Sequence, residues 1–131
     1  RLLSSAASDV YKRQTHDNTD KAIKTLKAAE KILITDGDSM ILSPEGQRTL
    51  TGELGEFKKG VFHFAKSTNV ASIVPVGLIG AYRANVRNSW IVNPGKLTTA
   101  FGEPITPEVY KNLSVEELRD LTKQKISELL V

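Results

Sequence analysis

Within Ser43-Pro44-Glu45-Gly46-Gln47-Arg48-Thr49, a carboxylate and a guanidinium lie within one turn of each other, on a backbone loosened by Gly46. The run follows a short apolar stretch, Met40-Ile41-Leu42. It therefore reads as the loop at the carboxyl end of a strand, where open α/β sheets meet polar ligands. Pro44 has no N–H to give to a ladder and ends the strand. Such a turn has two readings. It receives a polar substrate, or it is a surface turn closed by a local Glu45–Arg48 ion pair.

The flanking elements decide where that loop is held. From Asp17-Asn18 a helix is expected, with Ala22, Leu26, Ala29 and Leu33 on one face and Lys21, Lys24, Lys27 and Lys31 elsewhere. Asp36-Gly37-Asp38 stops it, and Ser39–Ser43 follows as a short buried strand, so helix and strand form a crossover unit. Residues 44–60 are longer than an ordinary connection and carry Gly46, Gly52, Gly55 and Gly60. They match neither a Walker phosphate loop nor a dinucleotide fingerprint.

Val61–Lys66 predicts a helix of about two turns closing at Asn69, with Val61, Phe64 and Ala65 on its buried face. Ser72–Gly80 predicts a second buried strand, which Pro75 places at an edge or irregularity. After a turn at Tyr82-Arg83, the expectation is a short Trp90-Ile91-Val92 strand, a type II turn at Asn93-Pro94-Gly95-Lys96, and a partner strand Leu97–Phe101. Thr106-Pro107 opens a short helix with a hydroxyl cap and a first-turn proline. Ser114-x-x-Glu117 is a capping box for the last helix, whose buried side is Val115, Leu118, Leu121, Ile126, Leu129 and Leu130.

The 131 residues, 40% hydrophobic, provide for one domain with one core, and no apolar run is long enough to span a membrane. The absence of cysteine excludes disulfides, thiolate nucleophiles and Cys-based zinc sites. Eighteen Lys+Arg against 15 Asp+Glu give a net charge of +3 and a pI near 9.2. That balance leans mildly toward an anionic partner such as phosphate, a phospholipid headgroup or nucleic acid, but ordinary solvated charge accounts for it better. Residues 1–14 look like translated adaptor sequence and are set aside, with the native upstream part expected to be missing; 15–131 remain as the domain.

With the loop and its flanks in place, the chain resembles the phospholipid and glycerol acyltransferases, the lysophosphatidate acyltransferases in particular, over roughly Asp20–Leu130. The family's third motif, Phe-Pro-Glu-Gly-Thr-Arg-Ser, corresponds to residues 43–49, followed at the family's spacing by Gly52-Glu53-Leu54 and Phe57-Lys58-Lys59-Gly60. The fourth motif corresponds to Ile73-Val74-Pro75-Val76. Pro94-Gly95-Lys96 and Phe101-Gly102-Glu103-Pro104-Ile105 resemble the family's closing strand and turn. Ser43, Gln47 and Ala71 depart from the usual residues.

The first motif, His with Asp five positions later, has no counterpart: Asp20 lies four positions after His16, and Thr68 lies five after His63. No catalytic residue is therefore assigned. The resemblance implies an α/β fold, with a partial, mostly parallel or mixed sheet flanked by helices and incomplete at its N-terminus. It implies transfer of a fatty acyl group from acyl-CoA or acyl carrier protein to the free hydroxyl of lysophosphatidate, with no metal or cofactor. The chain, as the carboxyl-terminal part of such an enzyme, is expected to be inactive alone. Poor solubility is expected as well, since its sheet edge is left uncovered.

The implied substrate site comprises Pro44, Glu45, Gly46, Gln47, Arg48 and Thr49, with Arg48 on the phosphate, Lys59 as a second positive charge and Pro75 on the acyl-donor side. Ile73, Val74 and Val76 are assigned to the core. Lys58 and His63 are read as ordinary exposed or half-buried residues, while Tyr82 and Arg83 either line the site or cap the strand. The full-length protein is expected at the cytoplasmic face of a membrane. The alternatives are an acyltransferase for another lysolipid or glycerol-3-phosphate, and a non-enzymatic anion- or nucleic-acid-binding module. Aromatic residues at 6%, with no basic stripe among them, speak against nucleic acid.

Overall fold

The computed structural model describes Leu2–Leu3 and residues 19–131, with side chains from Ile23 onward. It divides into two compact units, 1–43 and 44–131. In the first, β1 (Leu2–Leu3) pairs in parallel with β2 (Ser39–Met40), and α1 (Thr19–Asp36) lies between them in sequence. Lys and Ala, both good helix formers, supply seven of the 18 residues of α1. The helix ends as expected, with Gly37 left-handed at φ 64° and its N–H donating to the Leu33 carbonyl at 3.1 Å. Ala29 is buried and Leu26 and Leu33 half-buried; the Asp17-Asn18 cap, His16 and the Ala22 side chain lie outside the described residues.

β2 is shorter than the expected Ser39–Ser43. Its ladder ends with its two-residue partner, and Ile41 is left exposed. Leu2 and Leu3 belong to the segment read as adaptor-like; the rest of that segment lies outside the described residues.

The second unit contains α2 (Lys59–Ser67), β3 (Val76–Ile79), the single helical turn α3 (Ala81–Ala84), β4 (Thr98–Phe101), α4 (Pro107–Tyr110) and α5 (Val115–Leu129). Its core joins Phe57, Phe62, Ile105, Tyr110, Leu118 and Ile126, with the Phe57 and Phe62 rings stacked at 6.3 Å. On α2 the buried residues are Phe62 and Phe64, while Val61 and Ala65 are only half-buried. Phe64 is buried as read, but Phe62 takes the place in the core expected of Val61, because α2 packs on α5 through Phe62. Thr68 closes α2 by donating its hydroxyl to the Phe64 carbonyl at 2.9 Å, and Asn69 turns left-handed at φ 51°.

The capping box is present: the Ser114 hydroxyl accepts from the Glu117 N–H at 3.2 Å, and the Glu117 carboxylate accepts from the Ser114 N–H at 2.7 Å. Leu118 and Ile126 are buried as read, but Leu130 is exposed, and Thr122 takes a core position by donating its hydroxyl to the Leu118 carbonyl at 2.8 Å. Pro107 occupies the first turn of α4, but Thr106 makes no side-chain cap bond.

The strand expected over 72–80 is broken at Pro75. Ile73 pairs with Ile105 on one side and β3 begins at Val76 on the other, while the buried Pro75 accepts from the Gly102 N–H at 2.9 Å. β4 pairs antiparallel with β3, in the register Val76↔Phe101 to Ile79↔Thr98. The expected Trp90-Ile91-Val92 strand is absent, because β4 has taken β3 as its partner. Gly95 does not adopt the positive φ that a type II turn needs, so that turn is absent too. Tyr82-Arg83 sits in a helical turn rather than an open one, and Val74 is exposed rather than core. Gly77 and Gly102 let the end of α5 lie on the sheet: a Cβ at Gly77 would stand 3.2 Å from Leu130.

Candidate anion-binding cleft

The loop that joins Pro44 to α2 is closed at its base, where the Lys58 N–H donates to the Pro44 carbonyl at 2.8 Å. Glu45 braces it from inside, accepting from the Gly55 N–H at 2.7 Å. The Glu45–Arg48 ion pair is therefore not the element that closes this turn. Gly46 is required by its left-handed φ of 71°, and the Lys58 side chain lies close against it. The Thr49 hydroxyl accepts from the N–H groups of Thr51 and Gly52, at 3.2 and 3.1 Å, and fixes the next turn. Tyr82 donates its hydroxyl to the Leu50 carbonyl at 3.0 Å and lays its ring over Gly52.

With the loop braced, Arg48 is held from outside it. Its Nη1 donates to Asn85 Oδ1 at 2.5 Å, just beyond α3. Arg87 reaches back, donating to Gln47 Oε1 at 3.3 Å and to the Arg48 carbonyl at 3.4 Å. Beside this pair opens a cleft of about 600 Å³ lined by the cations Arg48, Lys58, Lys59, Arg87 and Arg119, with Glu45 and Glu56 as its carboxylates. Glu45 is already engaged with Gly55.

Two of the cations have carboxylate partners: Lys59 meets Glu116 at 2.7 Å, and Arg119 meets Asp120 at 2.9 Å. Lys59 holds the Glu116 carboxyl below its ordinary value, and the hydrogen bond to Asp120 holds the Arg119 guanidinium above its own. Arg48 and Arg87 rest on neutral acceptors, so their charge remains available to a ligand. Two planar guanidinium forks facing one cleft suit a phosphate or carboxylate.

Of the residues expected at the site, Glu45, Gln47, Arg48, Thr49 and Lys59 line the cleft. Pro44 and Gly46 shape the loop behind it. Pro75 does not join them: it is buried at the strand junction against Gly102. Lys58 does line the cleft, while His63 is exposed on α2 outside it. Tyr82 supports the loop rather than lining the site. Sequence reasoning missed Asn85, Arg87 and Arg119; Asn85 and Arg87 follow the fourth motif closely, but Arg119 reads as one more charge on an amphipathic helix. Among the described residues no group of three His, Cys, Asp or Glu is placed to hold a metal, and no helix is long and apolar enough to cross a membrane.

The chain is similar to known acyltransferases. The 1-acyl-sn-glycerol-3-phosphate acyltransferase of Cocos nucifera is 36% identical over 95 residues, which are 72% of this chain and 30% of that protein. That of Limnanthes douglasii is 31% identical over 111 residues, covering 85% of this chain and 38% of the relative. The chain thus spans well under half the length of these relatives. The crystal structure of the 1-acyl-sn-glycerophosphate acyltransferase PlsC from Thermotoga maritima superposes with a TM-score of 0.72 at 30% identity, covering 81% of this chain and 44% of that one. The α/β fold read from the sequence is therefore shared with that enzyme. A family model described as Acyltransferase matches residues 2–79, and the chain belongs to that acyltransferase family.

Proposed function

We propose that this chain forms the acceptor-binding part of an enzyme that moves a fatty acyl group from acyl-CoA or acyl carrier protein to the free hydroxyl of lysophosphatidate, at the cytoplasmic face of a membrane. The observation that carries this reading is the pair Arg48 and Arg87, facing one cleft without carboxylate partners. A phosphate monoester there accepts from both guanidinium forks, and Lys58 adds a point charge. The glycerol then lies along the Gln47–Thr49 edge, with its hydroxyl held for attack on the thioester carbonyl. The base that takes the hydroxyl proton is not His63, which stands outside the cleft. The relatives' names as lysophosphatidate acyltransferases support the choice of acceptor.

The test is calorimetric titration of the chain with a soluble short-chain lysophosphatidate. Charge-assisted hydrogen bonds contribute about 1.5–3 kcal/mol, so Arg48→Ala should weaken binding by about 10- to 150-fold. Lysophosphatidylcholine, whose phosphate is a diester, should bind more weakly than lysophosphatidate. Binding unaffected by Arg48→Ala would contradict the assignment. Tight, salt-sensitive binding of generic DNA, independent of Arg48, would point instead to a nucleic-acid module.

A further inference from the structure

Beyond the cleft, the chain from Trp90 to Leu97 has no strand partner and turns its apolar side chains outward. Trp90 is 92% exposed, Val92 69%, Leu97 63% and Ile91 52%. This is an anchored loop. The Asn93 N–H donates to the Ala84 carbonyl at 2.8 Å, and the Asn93 side chain donates to the Arg83 carbonyl at 3.3 Å. At its far end the Lys96 carbonyl abuts Gly80, where a Cβ would come within 2.3 Å of it. The middle and the far end of the loop thus lie against the one helical turn beyond which Asn85 holds Arg48.

The stretch of sequence that contains this loop carries charge of one sign. Between Glu56 and Glu103 the sequence has no acidic residue, while Lys58, Lys59, Lys66, Arg83, Arg87 and Lys96 all fall in that interval. Arg83 and Lys96 flank the apolar tip and are exposed. An exposed apolar patch rimmed by cations is complementary to a surface that is negative at its headgroups and apolar beneath. Trp, with a large apolar body and one polar N–H, is the side chain that favours such an interface.

We propose that the Trp90–Leu97 loop docks into the surface of a bilayer containing anionic phospholipid, holding the cleft against the source of its lipid acceptor. The proposal rests on the lipid-acceptor reading above and adds the surface through which the membrane is met. Apolar side chains supply insertion, and Arg83 and Lys96 supply headgroup attraction.

Trp90 is the one tryptophan of the chain, so its emission reports on this loop alone. The experiment mixes the full 131-residue chain with vesicles of phosphatidylcholine, with and without phosphatidylglycerol. Anionic vesicles should shift Trp90 emission to the blue, and brominated acyl chains should quench it. Each basic residue near an anionic surface contributes about fivefold to partitioning, so Arg83→Gln/Lys96→Gln should weaken vesicle binding about 25-fold. Ile91→Ser/Val92→Ser, which keeps the reporter, should abolish the blue shift with an unchanged circular dichroism spectrum.

Trp90 emission indifferent to anionic vesicles would overturn the proposal. So would a blue shift that needs no lipid and grows with protein concentration, because a second copy would then cover the loop. Arg48→Ala separates the two readings. If lysophosphatidate binding depends on Arg48 but Trp90 ignores vesicles, the docking loop fails and the acceptor site stands. If vesicles bind and lysophosphatidate does not, the acceptor reading fails.

Discussion

The α2–α5 interior and the cleft edge, in the same 44–131 unit, solve opposite problems. In the interior, Tyr110 is fully buried and still satisfied, its hydroxyl donating to the Val70 carbonyl at 2.5 Å, and Lys66 caps the Leu113 carbonyl. At the cleft edge, Arg48 and Arg87 are held by neutral acceptors, and the nearby 90–97 loop leaves apolar side chains in water. The interior spends its polar groups on one another, whereas the edge keeps charge and apolar surface unspent. That difference separates a scaffold from a surface built to bind.

The contrast is sharpened most by Leu118→Ala, which opens a cavity under a residue with no solvent exposure and should cost about 2–5 kcal/mol in urea unfolding. Gly80→Ala should come next, at about 1–3 kcal/mol by thermal unfolding, since φ 89° is left-handed and its Cβ would strike the Lys96 carbonyl. Unlike Leu118→Ala, it should also free the 90–97 loop, read as changed Trp90 emission. Ser114→Ala removes one half of the capping box and should cost about 1 kcal/mol, seen as a lower unfolding midpoint. Arg48→Ala should leave stability within about 0.5 kcal/mol while weakening anion binding. A large stability loss from Arg48→Ala would erase the distinction between scaffold and binding edge.

The smallest effects are those of pH. Burial pushes the Tyr110 phenol above its ordinary value, so the folded chain keeps that proton longer than the unfolded one. The corresponding stability is present below pH of about 10 and declines as pH rises through the raised value. A Tyr110→Phe variant should lose that alkaline decline. The lowered Glu116 carboxyl acts in the opposite sense: its contact with Lys59 is present above the ordinary glutamate range and is lost as pH falls through the lowered value. Because both partners are exposed, acid titration of stability should barely register it.

What the sequence revealed divides along the same line. Local signals were legible: Gly37 ends α1, Ser114 and Glu117 box α5, Pro75 breaks its strand, and the 43–49 motif marked one wall of the cleft. Pairing was not legible. Trp90-Ile91-Val92 has the composition of a strand, but β3 offered β4 a full four-residue register, and an apolar run without a partner looks the same in sequence as one with a partner. The other wall was hidden for a related reason. Asn85 and Arg87 lie nearly 40 residues from the residues they hold, and Arg119 sits farther still, so no local spacing announces them. Phe62 was missed because a two-turn helix has too few positions to fix its buried face.

The central claim is that Arg48 and Arg87 hold one anion together. A double-mutant cycle with Arg48→Ala, Arg87→Ala and the double variant, titrated with soluble lysophosphatidate, tests it most directly. Shared contact with one phosphate predicts a coupling energy of about 0.5–3 kcal/mol between the two positions. Strictly additive losses, or no loss at all, would contradict it.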